Sequence, residues 1–118
     1  MLEELLETNS LILYNIYKPL TLIAGRFDMD VIKVSANSRT SAVAGAIAGV
    51  IREFNRAEVQ AIGAGAVNQA IKALVLATGY LKSDGIEVAC VPEFADVAID
   101  DKVRTAIKLV IEPRKQSI

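Results

Sequence analysis

Histidine does not occur in this chain, and that absence closes most of hydrolytic and zinc enzymology. A Ser-His-Asp or Cys-His nucleophilic site, a histidine general base and a His-ligated zinc centre all need the imidazole. Cys90 is the only cysteine, which excludes an intramolecular disulfide and fits a reducing compartment. Buried strand packing is its expected role. Tryptophan is absent and aromatics supply 5% of the residues, so the core must come from Ala, Val, Ile and Leu. No apolar run approaches the roughly 18 to 20 residues of a membrane span; the longest is the ten residues Ala42–Ile51. A basic signal segment is missing as well, since the chain opens with Glu3, Glu4 and Glu7, and the expected compartment is the cytoplasm. The expectation is no catalytic residue, no metal, no cofactor and no membrane partner.

What is present is enough to fold. The chain has 118 residues, 53% hydrophobic and 23% charged, the length of one domain able to bury roughly 65% of its unfolded surface. A formal charge of −1 gives no overall attraction to nucleic acid, so such a role needs a local basic patch.

Residues 1–28 differ from the rest: Leu2, Leu5, Leu6, Leu11 and Leu13 alternate with three glutamates before Pro19, which allows a short amphipathic helix. Lys18 and Arg26 against Glu3, Glu4, Glu7 and Asp28 make this piece −2 and the remainder +1. The domain is expected to span 29–118. The internal Met29 leaves two readings of the leader open, an upstream extension or a mis-assigned start.

Asp30–Ser35 reads as a first strand, and Val43, Ile47, Val50, Ile51 and Phe54 recur at helical spacing after a loop rich in capping residues. Glu58–Ile62 reads as a second strand, and Val67, Ala70, Ile71, Leu74 and Thr78 mark a second helix with Gly79 near its C-terminal end. Ile86–Val91 is a third strand that Pro92 is expected to end, and Thr105–Glu112 a fourth that Pro113 stops. Ala95–Arg104 then links them, and Asp100-Asp101-Lys102 supplies turn chemistry for a long antiparallel hairpin. The order β-α-β-α-β-β predicts a two-layer α/β (α+β) domain with a mixed sheet and a C-terminal β-hairpin.

Gly63-Ala64-Gly65 lies between a strand and a helix, where free N–H groups and the positive dipole end favour anions. It is neither a P-loop nor a dinucleotide fingerprint, because Asn68 stands where the third glycine of the latter belongs. The two glycines serve equally well for a tight turn and close helix contact, and spacing does not choose between these readings. Asn68, Gln69 and Lys72 cluster beside the turn, where amides and an ammonium contact phosphate, sugar or base edges; an ordinary solvated face has the same composition. Gly45-x-x-x-Gly49 is expected to let another element pack closely rather than to dimerise in a membrane. Glu93, Asp96, Asp100 and Asp101 match no calcium loop and read as a solvated turn.

Val31–Ser35, Ser41–Ala46, Gln60–Ala73 and Thr105–Leu109 together strongly resemble the stage V sporulation protein S family, over Met29 to about Arg114. Residues 1–28 match nothing in it, and its members typically begin near Met29. The family is similar to the archaeal chromatin protein Alba, and the resemblance implies the same strand order (an Alba-like sandwich), homodimers with higher assembly left open, and a nucleic-acid-binding regulatory role in sporulation and cell-division control. It implies a surface made of Asn37, Ser38 and Arg39, then Gly63, Gly65, Asn68, Gln69 and Lys72, then Lys102 and Arg104. Alba's corresponding surface is more basic, so the resemblance implies weak or selective binding of DNA or RNA. The competing reading is a protein–protein adaptor that uses the uncharged Gly-Ala surface. An enzyme holding a nucleotide phosphate on the glycine turn has the least support.

Overall fold

Val43, Ile47 and Ile51 recur at helical spacing because they share one buried stripe, joined by Ala44 and Ala48. In the computed structural model, which describes residues 31–114, they lie on α1, Thr40–Phe54, between β1, Ile32–Val34, and β2, Ala57–Ala61. The chain continues through α2, Ala64–Lys82, into β3, Val88–Ile99, and β4, Lys102–Pro113. The expected element order and mixed sheet are both present. The strands lie in the order β1-β2-β4-β3, with β1 and β2 parallel and the other pairs antiparallel. The first strand is shorter than the Asp30–Ser35 run read from sequence, and the expected leader over 1–28 lies outside the described residues.

Both helices pack on β1, β2 and each other, forming one layer over one sheet face. The core is aliphatic: Ile47, Ile51, Val59, Leu81 and Ile111 are its largest fully buried side chains. Truncating any of the isoleucines or Leu81 to alanine removes about 2–5 kcal/mol, more than any surface pair contributes. Cys90 is half-buried against this core, as expected of a packing residue.

One expectation fails, for a physical reason. Pro92 does not end the third strand; β3 continues to Ile99, so Ala95–Arg104 is no linker and Lys102 and Arg104 are strand residues. The connection is only Asp100-Asp101, both at positive φ (49° and 63°), as a two-residue hairpin turn of the primed type requires. A proline survives in β3 because β3 is an edge strand, where a missing N–H can face away from the ladder. The second helix lies where Val67, Ala70, Ile71, Leu74 and Thr78 placed it. Its fully buried stripe is Ala66, Ala70, Ala73, Ala77 and Leu81, with Val67 and Leu74 partly buried against the same core; alanines face inward because α2 lies close against α1, and Ile71 is left exposed.

Burial pushes the Cys90 thiol above its ordinary pKa, which lowers its thiolate fraction. At pH 8, Cys90 in the folded protein is expected to react with a disulfide reagent well below the rate of the same chain in denaturant. Equal rates would contradict the half-buried placement.

Candidate functional site

Parallel pairing of β1 and β2 sends both strands toward the same end of the sheet, so both following helices begin there. The β3–β4 turn reaches that end too, since β3 runs antiparallel to β4 and β4 antiparallel to β2. Three chain segments distant in sequence are therefore brought together by topology alone: the β1–α1 loop, the β2–α2 turn and the hairpin.

The loop is fixed from within. The Ser38 N–H donates to the Ser35 carbonyl at 3.1 Å, the Ser35 N–H to the Ser38 hydroxyl at 2.8 Å, and the Asn37 N–H to the Ser35 hydroxyl at 3.2 Å. It is also tied to α2, because the Gln69 amide donates to the Ser38 carbonyl at 2.9 Å and to the Thr40 hydroxyl at 3.3 Å. Beneath this tie the first turn of α2 touches the loop directly. A β-carbon on Gly65 would stand 2.9 Å from that of Ala36, closer than carbon atoms tolerate.

Gly63 has φ of 92°, a conformation side chains disfavour, and it leaves α2 without a capping side chain. The first helical bond runs from the Val67 N–H to the Gly63 carbonyl at 3.0 Å, so the N–H groups of residues 64–66 precede the helical ladder. The start of α1, at Arg39, likewise has no side-chain cap, and neither helix has an acid in its first turn. Two positive dipole ends thus open at one end of the sheet with no carboxylate on either helix's first turn to offset them.

Charge is distributed to match. Ion pairs among the described residues join Arg52 to Asp84, Arg56 to Glu58 and Glu112, Arg114 to Glu87, and Lys108 to Glu58 and Glu93. All but the Lys108 pairs sit at the opposite end, where the helices finish and β2 and β3 begin, and Lys108 lies mid-sheet on the uncovered face. There Glu58, through its hydrogen bond, and Glu112 raise the Arg56 pKa further. At the loop end, Lys33, Lys72, Lys102 and Arg104 form no ion pair with another described residue. Arg39 is exposed on the same end.

A family model described as Stage V sporulation protein S matches residues 30–114. The chain belongs to the stage V sporulation protein S family. That membership assigns it a sporulation-related role in a family of regulatory proteins rather than known enzymes. Among the described residues no cluster of acidic or thiol side chains is placed to hold a metal ion, and no helix is long and apolar enough to cross a membrane.

The family resemblance named ten surface residues, and the fold gives them different work. Asn37, Asn68 and Lys72 are exposed, with Asn68 and Lys72 along the first half of α2. The Gln69 Nε2 holds the loop on the helix through the Ser38 carbonyl, the Ser38 hydroxyl braces the loop from within, and Gly65 makes the approach possible. Lys102 and Arg104 extend along β4 just beyond the turn. Sequence reading missed Lys33, whose exposed position alternates with buried Val34. Alternation in β1 was the available signal, since lysine between two inward aliphatics must face the uncovered side.

Gly65→Ala is expected to destabilise the fold by about 1–3 kcal/mol through overpacking against Ala36, and adding Ala36→Gly to recover most of that loss. Urea melts of the two variants check it; no recovery in the double variant would contradict the contact. Gln69→Ala is expected to remove about 1 kcal/mol in the same assay.

Proposed function

We propose that the chain is a non-enzymatic regulatory protein that binds DNA or RNA as a homodimer, through the end bearing the three loops. The observation that carries this reading is the segregation of charge. Among the described residues, Arg52, Arg56 and Arg114 are ion-paired at the far end, while Lys33, Lys72, Lys102 and Arg104, at the end that also carries Asp100 and Asp101 of the hairpin turn, form no ion pair beside two uncapped helix starts. A phosphate backbone supplies repeating negative charge for cations that have no ion-pair partner. Asn37 and Asn68 add neutral donors for sugar and phosphate oxygens.

A surface with so few cations binds weakly. With about four phosphates neutralised per protomer, the slope of log affinity against log salt is expected near −3 to −4 on duplex, or about 100-fold between 50 and 200 mM. Fluorescence anisotropy with labelled oligonucleotides checks this. Lys72→Ala with Arg39→Ala is expected to flatten the slope, whereas Lys82→Ala, in the last turn of α2, is not. No binding at about 50 mM salt, or binding indifferent to the double substitution, would contradict the reading.

Dimerisation draws support from a different surface. Ile71 and Val75, and Leu76 and Tyr80, form neighbouring i,i+4 rows on the outward side of α2, and on the hairpin Phe94 is 81% and Val103 73% exposed. So much exposed large apolar surface marks an interaction face. The same face also favours the adaptor reading, with a different protein as occupant. Light scattering separates them: a dimer that Phe94→Glu converts to a monomer supports the homodimer, and a monomeric wild-type chain leaves the face to another protein.

A further inference from the structure

On the uncovered sheet face, a recess of about 340 Å³ opens at the loop-bearing end, and Lys33, Ser35, Gln60, Ile62, Val97 and Ile99 line it. Lys33 and Gln60 are register partners on β1 and β2, and they alternate with the buried Val34, Val59 and Ala61, which places them opposite the helices. Val97 and Ile99 belong to β3, at the other edge of the sheet. They reach the recess because pairing of β4 with β2 ends at Ile107, which leaves the last part of the hairpin beyond β2. Ile99 stands opposite Lys102 and Val97 opposite Arg104, and directly paired residues share a face. The recess is therefore lined by the aliphatic Ile62, Val97 and Ile99, the Gln60 amide and the Lys33 ammonium, while Lys102 and Arg104, outside its lining, lie on the same face next to Ile99 and Val97.

We propose that this recess receives the base of an unpaired nucleotide, so that the protein prefers single-stranded to fully paired nucleic acid. The proposal rests on the nucleic-acid reading above and deepens it. Aliphatic walls at Ile62, Val97 and Ile99 accept the faces of a planar heterocycle, and the Gln60 side chain, which makes no hydrogen bond to another described residue, offers a donor and an acceptor to a base edge. Lys33, Lys102 and Arg104 sit where the flanking phosphates of the same strand would lie. A paired base cannot enter without first leaving its stack, which penalises duplex, whereas a flexible strand presents bases freely and backbone charge with them.

The experiment uses the full chain and fluorescence anisotropy at low salt. The probes are a labelled single strand of about 12 nucleotides, the same strand in a blunt duplex, and the same strand made abasic at its central positions, each as DNA; an RNA single strand is run beside them. The single strand is expected to bind at least about tenfold more tightly than the duplex or the abasic strand. Ile99→Ser and Gln60→Ala, both at partly or fully exposed positions, are expected to erase that preference while duplex affinity stays within about twofold. Equal affinity for all three DNA probes, or a preference that survives both substitutions, overturns the recess and leaves the charge-based reading standing. Displacement of the strand by a free mononucleotide at equal concentration also overturns it, because the ligand would then be a soluble nucleotide. Loss of every probe's binding overturns the nucleic-acid reading itself.

Discussion

Where the first turn of α2 meets the β1–α1 loop, only the missing side chain of Gly65 lets Ala36 lie against the helix. Much of the candidate site is downstream of that approach. With the loop seated, the Gln69 amide reaches the Ser38 carbonyl and the Thr40 hydroxyl, which fixes the entry to α1 relative to the entry to α2. The two helix starts then open side by side, and the loop completes one wall of the recess facing the hairpin. A larger residue at 65 would push the loop off the helix and separate these groups. Gly63 acts before this, turning the chain at positive φ so that α2 begins under the loop rather than beside it.

The forces that hold the fold and those that shape the site are distinct. Stability comes from an aliphatic core, with alanines on α2 letting it lie close against α1. The surface ion pairs are half-exposed, and such pairs contribute about 0–1 kcal/mol each. They do not hold the molecule together. Their consequence is electrostatic: they tie up the far-end and mid-sheet cations, whereas at the loop end Lys33, Lys72, Lys102 and Arg104 form no ion pair with a described residue, although Asp100 and Asp101 lie in the turn beside them. Net charge does not reveal that arrangement, and the pattern of pairs does.

Element types were legible because each carried its period plainly, as Val43, Ile47 and Ile51 do in α1. What was not legible depended on tertiary setting. Pro92 looks like a strand terminator until β3 is known to lie at the sheet edge. The sequence marked α2 but not which of its residues would be fully buried: close helix contact selects Ala66, Ala70, Ala73 and Ala77, with the larger Val67 and Leu74 only partly buried. At the site, the glycine turn was visible but its two readings could not be separated; Gly65 proves to be a contact residue and Gly63 a turn residue, and the exposed N–H groups follow from both. Gln69 was read only as a surface amide, and its Nε2 also braces the loop on the helix. Lys33 went unnoticed because its significance comes from Val97 and Ile99, more than sixty positions away in the chain.

Central to this account is that one end of the sheet, and not the other, is the binding surface. Backbone amide chemical-shift mapping of the full chain with a short oligonucleotide at low salt tests that most directly. The account predicts that perturbations concentrate in residues 33–40, 63–72 and 97–104. Perturbations centred instead on the ion-paired end, around Arg52, Arg56, Glu87 and Glu112, would contradict it.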